Sequence, residues 1–357
     1  MNVSRQTIPM FGCPFPPEPR FGIAARSPSQ TPAHETQGCL RLSACLPALE
    51  NPLSPLIASR TSLATSLMRA VHSRVDPAPL FNDTWGDRLV PASAKAALRQ
   101  RVIDRMGIRI SVEVEAGSEA LDLGLRTNAA YADVILRSRY TEDVLKRAVA
   151  RGVLQYVIIG AGFDSFICRR PAWAEGITVI EVDHPATQRL KRARLEACGV
   201  TLPRSVEFVE ADLSMDALGT ALARSSFQAD RLTFFSWLGV TMYLTREANL
   251  SSLRSIATCA PAGSELVFTY VDEAIFRPDY PVDESLRRLA SSVSASGEAF
   301  LSGFDPCTIG DLLLDARLFP IEDLDGNQVA ARYDAAGQNA FRTAAAAHIV
   351  HVRGMGS

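Results

Sequence analysis

Paired cysteines are absent from the sequence. The 357-residue chain holds seven cysteines, yet no two form a CxxC pair, and none is combined with histidine at the spacing of a zinc site. A chain of this length buries a sizeable core without cross-links, so it needs neither disulfides nor metal to fold. We therefore predict reduced thiols and no metal site.

A charge excess of either sign is absent too. Lysine and arginine total 37 against 39 aspartates and glutamates, which leaves a formal net charge of -2. Proteins that bind nucleic acids usually carry a clear basic excess. The near balance therefore predicts no nucleic-acid partner and no other polyanionic one.

Long apolar runs are the third absence. Hydrophobic residues make up 47% of the chain, but no run approaches the ~20 residues of a membrane-spanning helix. The first residues also lack the basic, apolar and small-residue order of a secretory signal. These absences favour a cytoplasmic protein that has no membrane partner.

Proline marks a boundary near residue 55. Ten of the 21 prolines lie at or before Pro55, and each one removes a backbone donor and fixes φ. We predict a disordered tail, or a start codon assigned too far upstream, over residues 1–54. The helical pattern begins only afterwards, so residues 55–151 are predicted as a helical cap.

Three stretches of this cap repeat apolar residues at helical spacing. The first begins at Ser59 and places a set of apolar side chains on one face: Leu63, Leu67, Ala70 and Val71. The second and third run over residues 91–106 and 129–151. We expect three amphipathic helices that bury one face each.

Short apolar runs alternate with helical patterns in the rest of the chain, residues 152–357. This alternation predicts βαβ units that build a parallel sheet covered on both faces. The runs lie at 156–160, 177–183, 206–213, 232–239 and 264–271. Residues 344–352 are predicted as a last strand at the edge of the sheet, 308–316 as a helix capped by Thr308, and 277–292 as a loop with a short helix.

A glycine turn follows the first strand directly. In YVIIGAGFDS, Gly160, Ala161 and Gly162 allow a tight turn and a close approach of the backbone to a ligand. The second strand ends in Asp183, where a carboxylate can accept hydrogen bonds from the ribose hydroxyls of an adenosine-containing ligand. Together they indicate a site at the strand ends.

Two ligand classes compete for this turn. A nicotinamide cofactor favours GxGxxG, in which a helix N-terminus faces the pyrophosphate. Here the third glycine is replaced by Ser165, and Asp164 would place negative charge beside a phosphate. The sequence therefore favours S-adenosylmethionine, which has ribose and adenine but no phosphate.

The third strand ends in Asp212 and Leu213. The carboxylate can accept a hydrogen bond from the adenine amino group while the leucine packs on the ring. In the alternative, Asp212 caps the helix that follows.

These residues lie in six ordered blocks that resemble the class I S-adenosylmethionine-dependent methyltransferases of the leucine carboxyl methyltransferase type, with the bacterial methyltransferases and polyketide O-methyltransferases grouped with them. The blocks are SRTSLATSLMRAVHS at 59–73, YADVILRSRYTEDVL at 131–145, IIGAGFDS at 158–165, IEVDHP at 180–185, EADL at 210–213 and FSWLGVTMYLT at 235–245. The resemblance implies an α/β fold with a Rossmann-like seven-stranded sheet, mostly parallel with an antiparallel last strand, and an N-terminal helical cap.

The resemblance also assigns roles. Arg137 matches the arginine that binds the methionine carboxylate, with Arg139 as second choice and a solvated helix face as the alternative. The glycine turn would pass under the methionine moiety, Asp183 would hold the ribose, and Asp212 with Leu213 the adenine. One position departs from the family: Leu238 stands where many members have a glutamate.

Candidate groups for the acceptor are fewer. Tyr243, near the end of the fourth strand, is the candidate catalytic residue, whereas His184 reads as a capping or surface histidine. The two histidines of the last strand, His348 and His351, read as structural. A set of aromatic side chains could either wall an acceptor pocket or fill the core: Phe163, Phe166, Phe234, Phe235 and Trp237.

We therefore predict an S-adenosylmethionine-dependent enzyme that methylates an oxygen of a small-molecule carboxylate or hydroxyl acceptor. One alternative is a catalytically silent member that binds the cofactor or a partner. A second alternative is a nicotinamide-dependent oxidoreductase.

Overall fold

The computed structural model describes residues 60–106, 116–277 and 299–356. The predicted tail over 1–54 lies outside the described residues. So does the predicted loop and helix over 277–292, apart from Arg277.

In the described part of the chain, five α-helices precede the first strand. They are α1 (Arg60–Val75), α2 (Trp85–Leu89), α3 (Ala92–Met106), α4 (Ala116–Arg126) and α5 (Tyr131–Ala150). The predicted apolar face of α1 is buried, and α3 and α5 match the other two predicted helices. Within the described ranges, no helix combines the length and apolar character that crossing a lipid bilayer requires.

A seven-stranded sheet forms the rest of the described structure. Its strands are β1 (Gln155–Ile159), β2 (Thr178–Asp183), β3 (Val206–Glu210), β4 (Thr233–Trp237), β5 (Glu265–Val271), β6 (Leu318–Asp325) and β7 (Ala347–Gly354). Their spatial order is β3-β2-β1-β4-β5-β7-β6, and β7 alone runs antiparallel to its neighbours. The predicted fold class, mostly parallel with an antiparallel last strand, is confirmed.

The predicted edge position of the last strand is wrong. β7 lies between β5 and β6, so β6 forms the edge on this side of the sheet, opposite β3. β6 carries exposed Phe319 and Ile321 and the proline Pro320 at a register shift. An edge strand tolerates proline because one row of its backbone donors pairs with nothing, and this interrupted pattern hides the strand in the sequence.

Helices α6 (Pro185–Ala197), α7 (Leu218–Leu222), α8 (Arg246–Cys259), α9 (Ile309–Asp315) and α10 (Gly326–Tyr333) lie between the strands. Thr308 does precede α9, but its side chain makes no capping hydrogen bond, so that prediction is wrong. Its backbone has φ −119° and ψ −12° instead of the extended conformation usual at a cap. Asp305 bonds the helix start, accepting at Oδ1 from Cys307 N and at its carbonyl from Ile309 N.

Both faces of the central strands are buried. Along β1, Tyr156 and Ile158 pack with the cap helices, and Val157 and Ile159 pack on the opposite face. This alternation follows from the two-residue repeat of a strand. The aromatic residues of β4 obey it as well: Phe234, Phe235 and Trp237 are all fully buried in the core. For these three, the alternative in which they fill the core is confirmed.

The sheet order creates a crevice beside β1. The chain builds β1, β2 and β3 outward, then returns to place β4 on the other side of β1. The loops after β1 and β4 therefore lead away in opposite directions, and ligands of open α/β sheets bind at such a point, beyond the carboxyl ends of the strands.

Candidate functional site

One cavity of about 470 Å³ lies at the carboxyl ends of β1 to β4. All residues predicted to bind cofactor line it, and so does the candidate catalytic residue: Arg137, Gly160, Ala161, Gly162, Asp183, Asp212, Leu213 and Tyr243. Residues from segments far apart in the sequence thus meet at one site.

The glycine turn is wedged between the cap and β2. Gly162 has φ +51°, a conformation that favours glycine. A β-carbon on it would lie 2.9 Å from Cβ of Ser62 in α1. Its amide donates a hydrogen bond to the carboxylate of Asp183. Glycine at 162 therefore lets α1 approach the turn and leaves the turn backbone facing the cavity.

Asp183 ends β2 half-buried at the cavity wall. Burial raises the pKa of this carboxyl, although the amides of Gly162 and His184 favour its charged form. The His184 amide donates to Oδ1 over 2.6 Å. A carboxylate has about four acceptor positions, so Asp183 retains capacity for two ligand hydroxyls.

A second carboxylate lies on the same face of β2. Glu181 is fully buried, and burial raises its pKa to about 7, while Lys191 Nζ lies 2.6 Å from its Oε2. Sequence reasoning missed this pair. Its buried ammonium group offsets the negative charge behind Asp183.

Asp212 and Leu213 follow β3 and are half-buried. Oδ1 of Asp212 accepts from the amide of Ser214 at 3.0 Å and from its hydroxyl at 2.6 Å. No helix begins there, because α7 starts at Leu218 after Ala217. The alternative in which Asp212 caps a helix is therefore wrong; its carboxylate fixes a turn at the cavity edge.

Arg137 projects from α5 into the cavity wall. Its Nη1 lies 2.7 Å from Asp133 Oδ2, and its side chain is 14% exposed. The guanidinium lies over Gly239, where a β-carbon would come within 2.6 to 2.9 Å of its atoms. Gly239 has φ +68° and was missed by the sequence reasoning, because its contact with Arg137 joins positions far apart in the sequence.

Arg139, the second choice, has a different setting. Its guanidinium donates to the carbonyl of Leu80 at 2.7 Å and pairs with Asp143 at 3.0 Å. It does not line the cavity. Of the two candidate arginines, the structure therefore places Arg137 at the cavity and Arg139 away from it.

The end of the cavity near β4 is mostly apolar. Its side chains include Leu238, Val240, Leu244 and Leu301. Tyr243 belongs to a 3-10 turn, Thr241–Tyr243, and its ring meets Phe300 edge-on at 5.7 Å between centroids. This part of the described wall thus presents one phenol among hydrocarbon side chains, Leu238 among them.

The histidines fall where the sequence suggested. His184 caps α6 through Nδ1, which accepts from the amide of Ala186 at 3.3 Å, and it also lines the cavity. In β7, His348 pairs with Asp323 and His351 with Glu265. Neither of these two lines the cavity, which agrees with a structural role.

The segment after the glycine turn differs from a pyrophosphate site. Phe166–Cys168 is a 3-10 turn, and Ser165 is fully buried and bonded away from the cavity. A pyrophosphate site needs the N-terminus of an α-helix below the turn. Residues 163–174 form none, which disfavours the nicotinamide alternative. Across the described ranges, no three His, Cys, Asp or Glu side chains are grouped to hold a metal ion.

Comparison with known proteins places this chain among methyltransferases. Residues 62–257 match the family described as leucine carboxyl methyltransferase. A Bacillus subtilis protein, provisionally named an S-adenosyl-L-methionine-dependent methyltransferase, is 31% identical over 274 residues, 76% of this chain and 90% of the relative. A similarly named protein of Mycolicibacterium smegmatis is 30% identical, over 71% and 80%.

Solved structures give a weaker likeness. An O-methyltransferase family protein from Burkholderia thailandensis has a TM-score of 0.42 at 15% identity, covering 82% of this chain and 83% of that one. A DUF574 family protein from Streptomyces avermitilis has a TM-score of 0.48 at 16% identity, covering 72% and 96%.

Proposed function

Because the chain belongs to the leucine carboxyl methyltransferase family, we propose that its cavity binds S-adenosylmethionine and directs the methyl group to an oxygen atom of a small acceptor molecule. Dependence on S-adenosylmethionine follows from the family and its named relatives. The acceptor and the oxygen atom are the new part of the proposal. The gathering of Asp183, Asp212 and Arg137 around one glycine turn supports the cofactor part of the proposal. The observation that supports the acceptor part is the position of Tyr243 beside the apolar end of the same cavity.

The cavity residues suit the three parts of this cofactor. Asp183 has free acceptor capacity for the ribose hydroxyls, and Leu213 offers an apolar surface beside the Asp212 carboxylate for adenine. Arg137 presents a guanidinium, which binds a carboxylate through two parallel hydrogen bonds. The backbone of Gly160 to Gly162 supplies the close approach that the methionine chain requires.

S-adenosylmethionine, when bound, supplies a methyl group on a positively charged sulfur. The protein then has to align an acceptor oxygen with that carbon and exclude water, which is catalysis by proximity and orientation. The apolar residues near β4 exclude water from that end. Tyr243 is the group we assign to orienting the acceptor oxygen.

The acceptor determines whether a proton must move. A carboxylate acceptor needs no base, whereas a hydroxyl acceptor must pass its proton to a group within hydrogen-bond reach. Apart from the carboxylates and the serine and threonine hydroxyls of the described wall, Tyr243 and His184 are cavity side chains that can exchange protons with a hydroxyl. We assign this role to Tyr243, because it lies at the apolar end of the cavity, whereas His184 caps α6.

One specific observation supports a second candidate. Leu238 lines the cavity in place of the family glutamate, so a contact made by that carboxylate is lost. A protein that binds the cofactor without transferring methyl would retain the strand-end acids and lose a group near the acceptor. Reversion of Leu238 to glutamate separates this silent form from an active enzyme.

Titration calorimetry with S-adenosylhomocysteine tests the proposal. We expect binding near micromolar, about -8 kcal/mol, and no heat with NAD as the matched adenosine control. A response to NAD alone would overturn the cofactor assignment. Methyl transfer from labelled S-adenosylmethionine to phenol and carboxylic acid acceptors then tests catalysis; cofactor binding without any transfer would favour the silent form.

A further inference from the structure

Ser165 occupies the position of the third glycine in a GxGxxG turn, and it is fully buried. Its hydroxyl donates to Oδ2 of Asp83 over 2.6 Å and accepts from Nε of Arg169 over 2.9 Å. Ser165 does not line the cavity. It therefore ties the segment after the glycine turn to the cap.

Asp83 is itself held rigidly by the cap. It is 0% exposed, and its Oδ1 accepts from the amides of Trp85 and Gly86 at 3.1 and 3.3 Å. Oδ2 accepts from Nε of Arg69 in α1 at 2.9 Å. These three bonds all come from residues that precede the sheet. Asp83 therefore offers Ser165 an acceptor whose position is set by the cap.

The same arginine reaches the turn by a second route. Nη2 of Arg69 donates to the carbonyl of Phe163 over 2.6 Å, and the hydroxyl of Ser66 donates to the same carbonyl over 3.2 Å. Phe163 directly follows Gly162. The turn is thus held from the cap at residues 163 and 165, on both sides of Asp164, which lines the cavity.

We propose that Arg69, Asp83 and Ser165 are positioning residues that hold the glycine turn in the conformation required for cofactor binding. This inference rests on the proposed function, since it concerns the same site. Asp83 and Ser165 do not line the cavity and act through the turn, whereas Arg69 also lines the cavity, so the test is made at Ser165. Without the Ser165 hydroxyl the turn samples other conformations, and the apparent dissociation constant rises as the fraction of competent protein falls.

A matched pair of variants tests this proposal. Ser165→Ala removes one buried hydroxyl bond to Asp83. Tyr131→Phe removes one buried hydroxyl bond, 2.7 Å long, to Asp76 elsewhere in the cap. Each variant and the wild type are titrated with S-adenosylhomocysteine, and melting temperatures are recorded without ligand. Both variants should melt lower than the wild type.

We expect Ser165→Ala to weaken binding by roughly threefold to tenfold, the net worth of one typical intramolecular hydrogen bond, and Tyr131→Phe to leave binding unchanged. In turnover assays the KM for S-adenosylmethionine should rise in Ser165→Ala while kcat at saturation is kept. Ser165→Thr, which retains the hydroxyl, should restore the affinity.

Equal affinity in Ser165→Ala and wild type would overturn the positioning role. Equal losses in both variants would do so as well, because they would reflect general weakening of the cap. If Ser165→Ala does not fold, Ser66→Ala is judged by the same criteria through its bond to the Phe163 carbonyl. Absence of binding by the wild type would instead refute the proposed function itself.

Discussion

The cap contains two buried aspartates that differ in what they connect. Asp76, just after α1, is hydrogen-bonded to His72 and to Tyr131, each at 2.7 Å, and forms an ion pair with Arg126 at 2.8 Å, all within the cap. Asp83, just before α2, is bonded to Arg69 within the cap and to Ser165 beyond it. One network joins helices, and the other joins the cap to the site.

Their electrostatics are nearly the same. Burial opposes the charge on both, yet their partners outweigh it and hold the pKa of each carboxyl below its usual value. In the Asp76 network, Nε2 of His72 accepts from the amide of Leu80, so the proton lies on Nδ1. A shifted pKa and full burial therefore do not show which aspartate is connected to the site. The hydrogen-bond partners do, because Asp83 is bonded to Ser165 and Asp76 only to residues of the cap.

Removal of each carboxylate should give the largest effects. Asp83→Ala and Asp76→Ala should each lower the free energy of unfolding by roughly 3 to 5 kcal/mol, because an arginine loses its buried partner. Denaturant titration measures this loss. Only Asp83→Ala should also weaken S-adenosylhomocysteine binding; a similar loss of affinity in Asp76→Ala would erase the distinction between the two networks.

Asp183 extends the comparison to an aspartate inside the cavity. Asp183→Ala should weaken S-adenosylhomocysteine binding by roughly 1 to 3 kcal/mol, the cost of ligand hydroxyls left without their acceptor. Calorimetry on the folded variant measures it. Unchanged affinity would refute the assignment of Asp183 to the ribose.

Arg137 is a residue of the cap that lines the cavity. Arg137→Ala should weaken S-adenosylhomocysteine by about 1.5 to 3 kcal/mol, the range for a hydrogen bond to a charged group. The affinity for methylthioadenosine, which lacks the amino-acid end, should be almost the same in Arg137→Ala and in the wild type. Equal losses for both ligands would show that Arg137 does not bind the carboxylate.

Acid sensitivity should give the smallest effect. Because the folded pKa of Asp76 and Asp83 is depressed, their stabilisation is complete above the unfolded pKa of about 4 and is lost as the pH falls through the folded value. Melting temperatures should therefore drop below about pH 4. Asp83→Asn and Asp76→Asn should each reduce the loss of unfolding free energy below this pH by about 1 kcal/mol, and the fall in melting temperature should be smaller accordingly. An unchanged fall in melting temperature would contradict the pKa assignment.

Much of the sheet could be predicted from sequence. The strands β1, β2, β4 and β5 are short apolar runs buried on both faces, and β3 is a short, partly buried run. This pattern is visible without any knowledge of neighbours. β6 escaped because its exposed Phe319 and Ile321 and its proline resemble no buried strand. The position of β7 followed only from pairing with β6.

The site divides in the same way. Asp183 and Asp212 were identified because parallel strands bring their carboxyl ends to one edge. Asp83 could not be identified, because its meaning depends on Ser165, 82 residues later, and nothing local marks that contact. Gly239 was missed for the same reason, since its role depends on a side chain of α5.

The residue at position 239 controls where the Arg137 guanidinium can lie, although the two positions are far apart in the sequence. A methyl group at 239 would occupy the space of the guanidinium, and the arginine is the more flexible of the two partners. Alanine at 239 would therefore displace Arg137 while leaving the arginine itself intact. Positions 137 and 239 form one unit of variation, and a protein-engineering library that varies either should vary both.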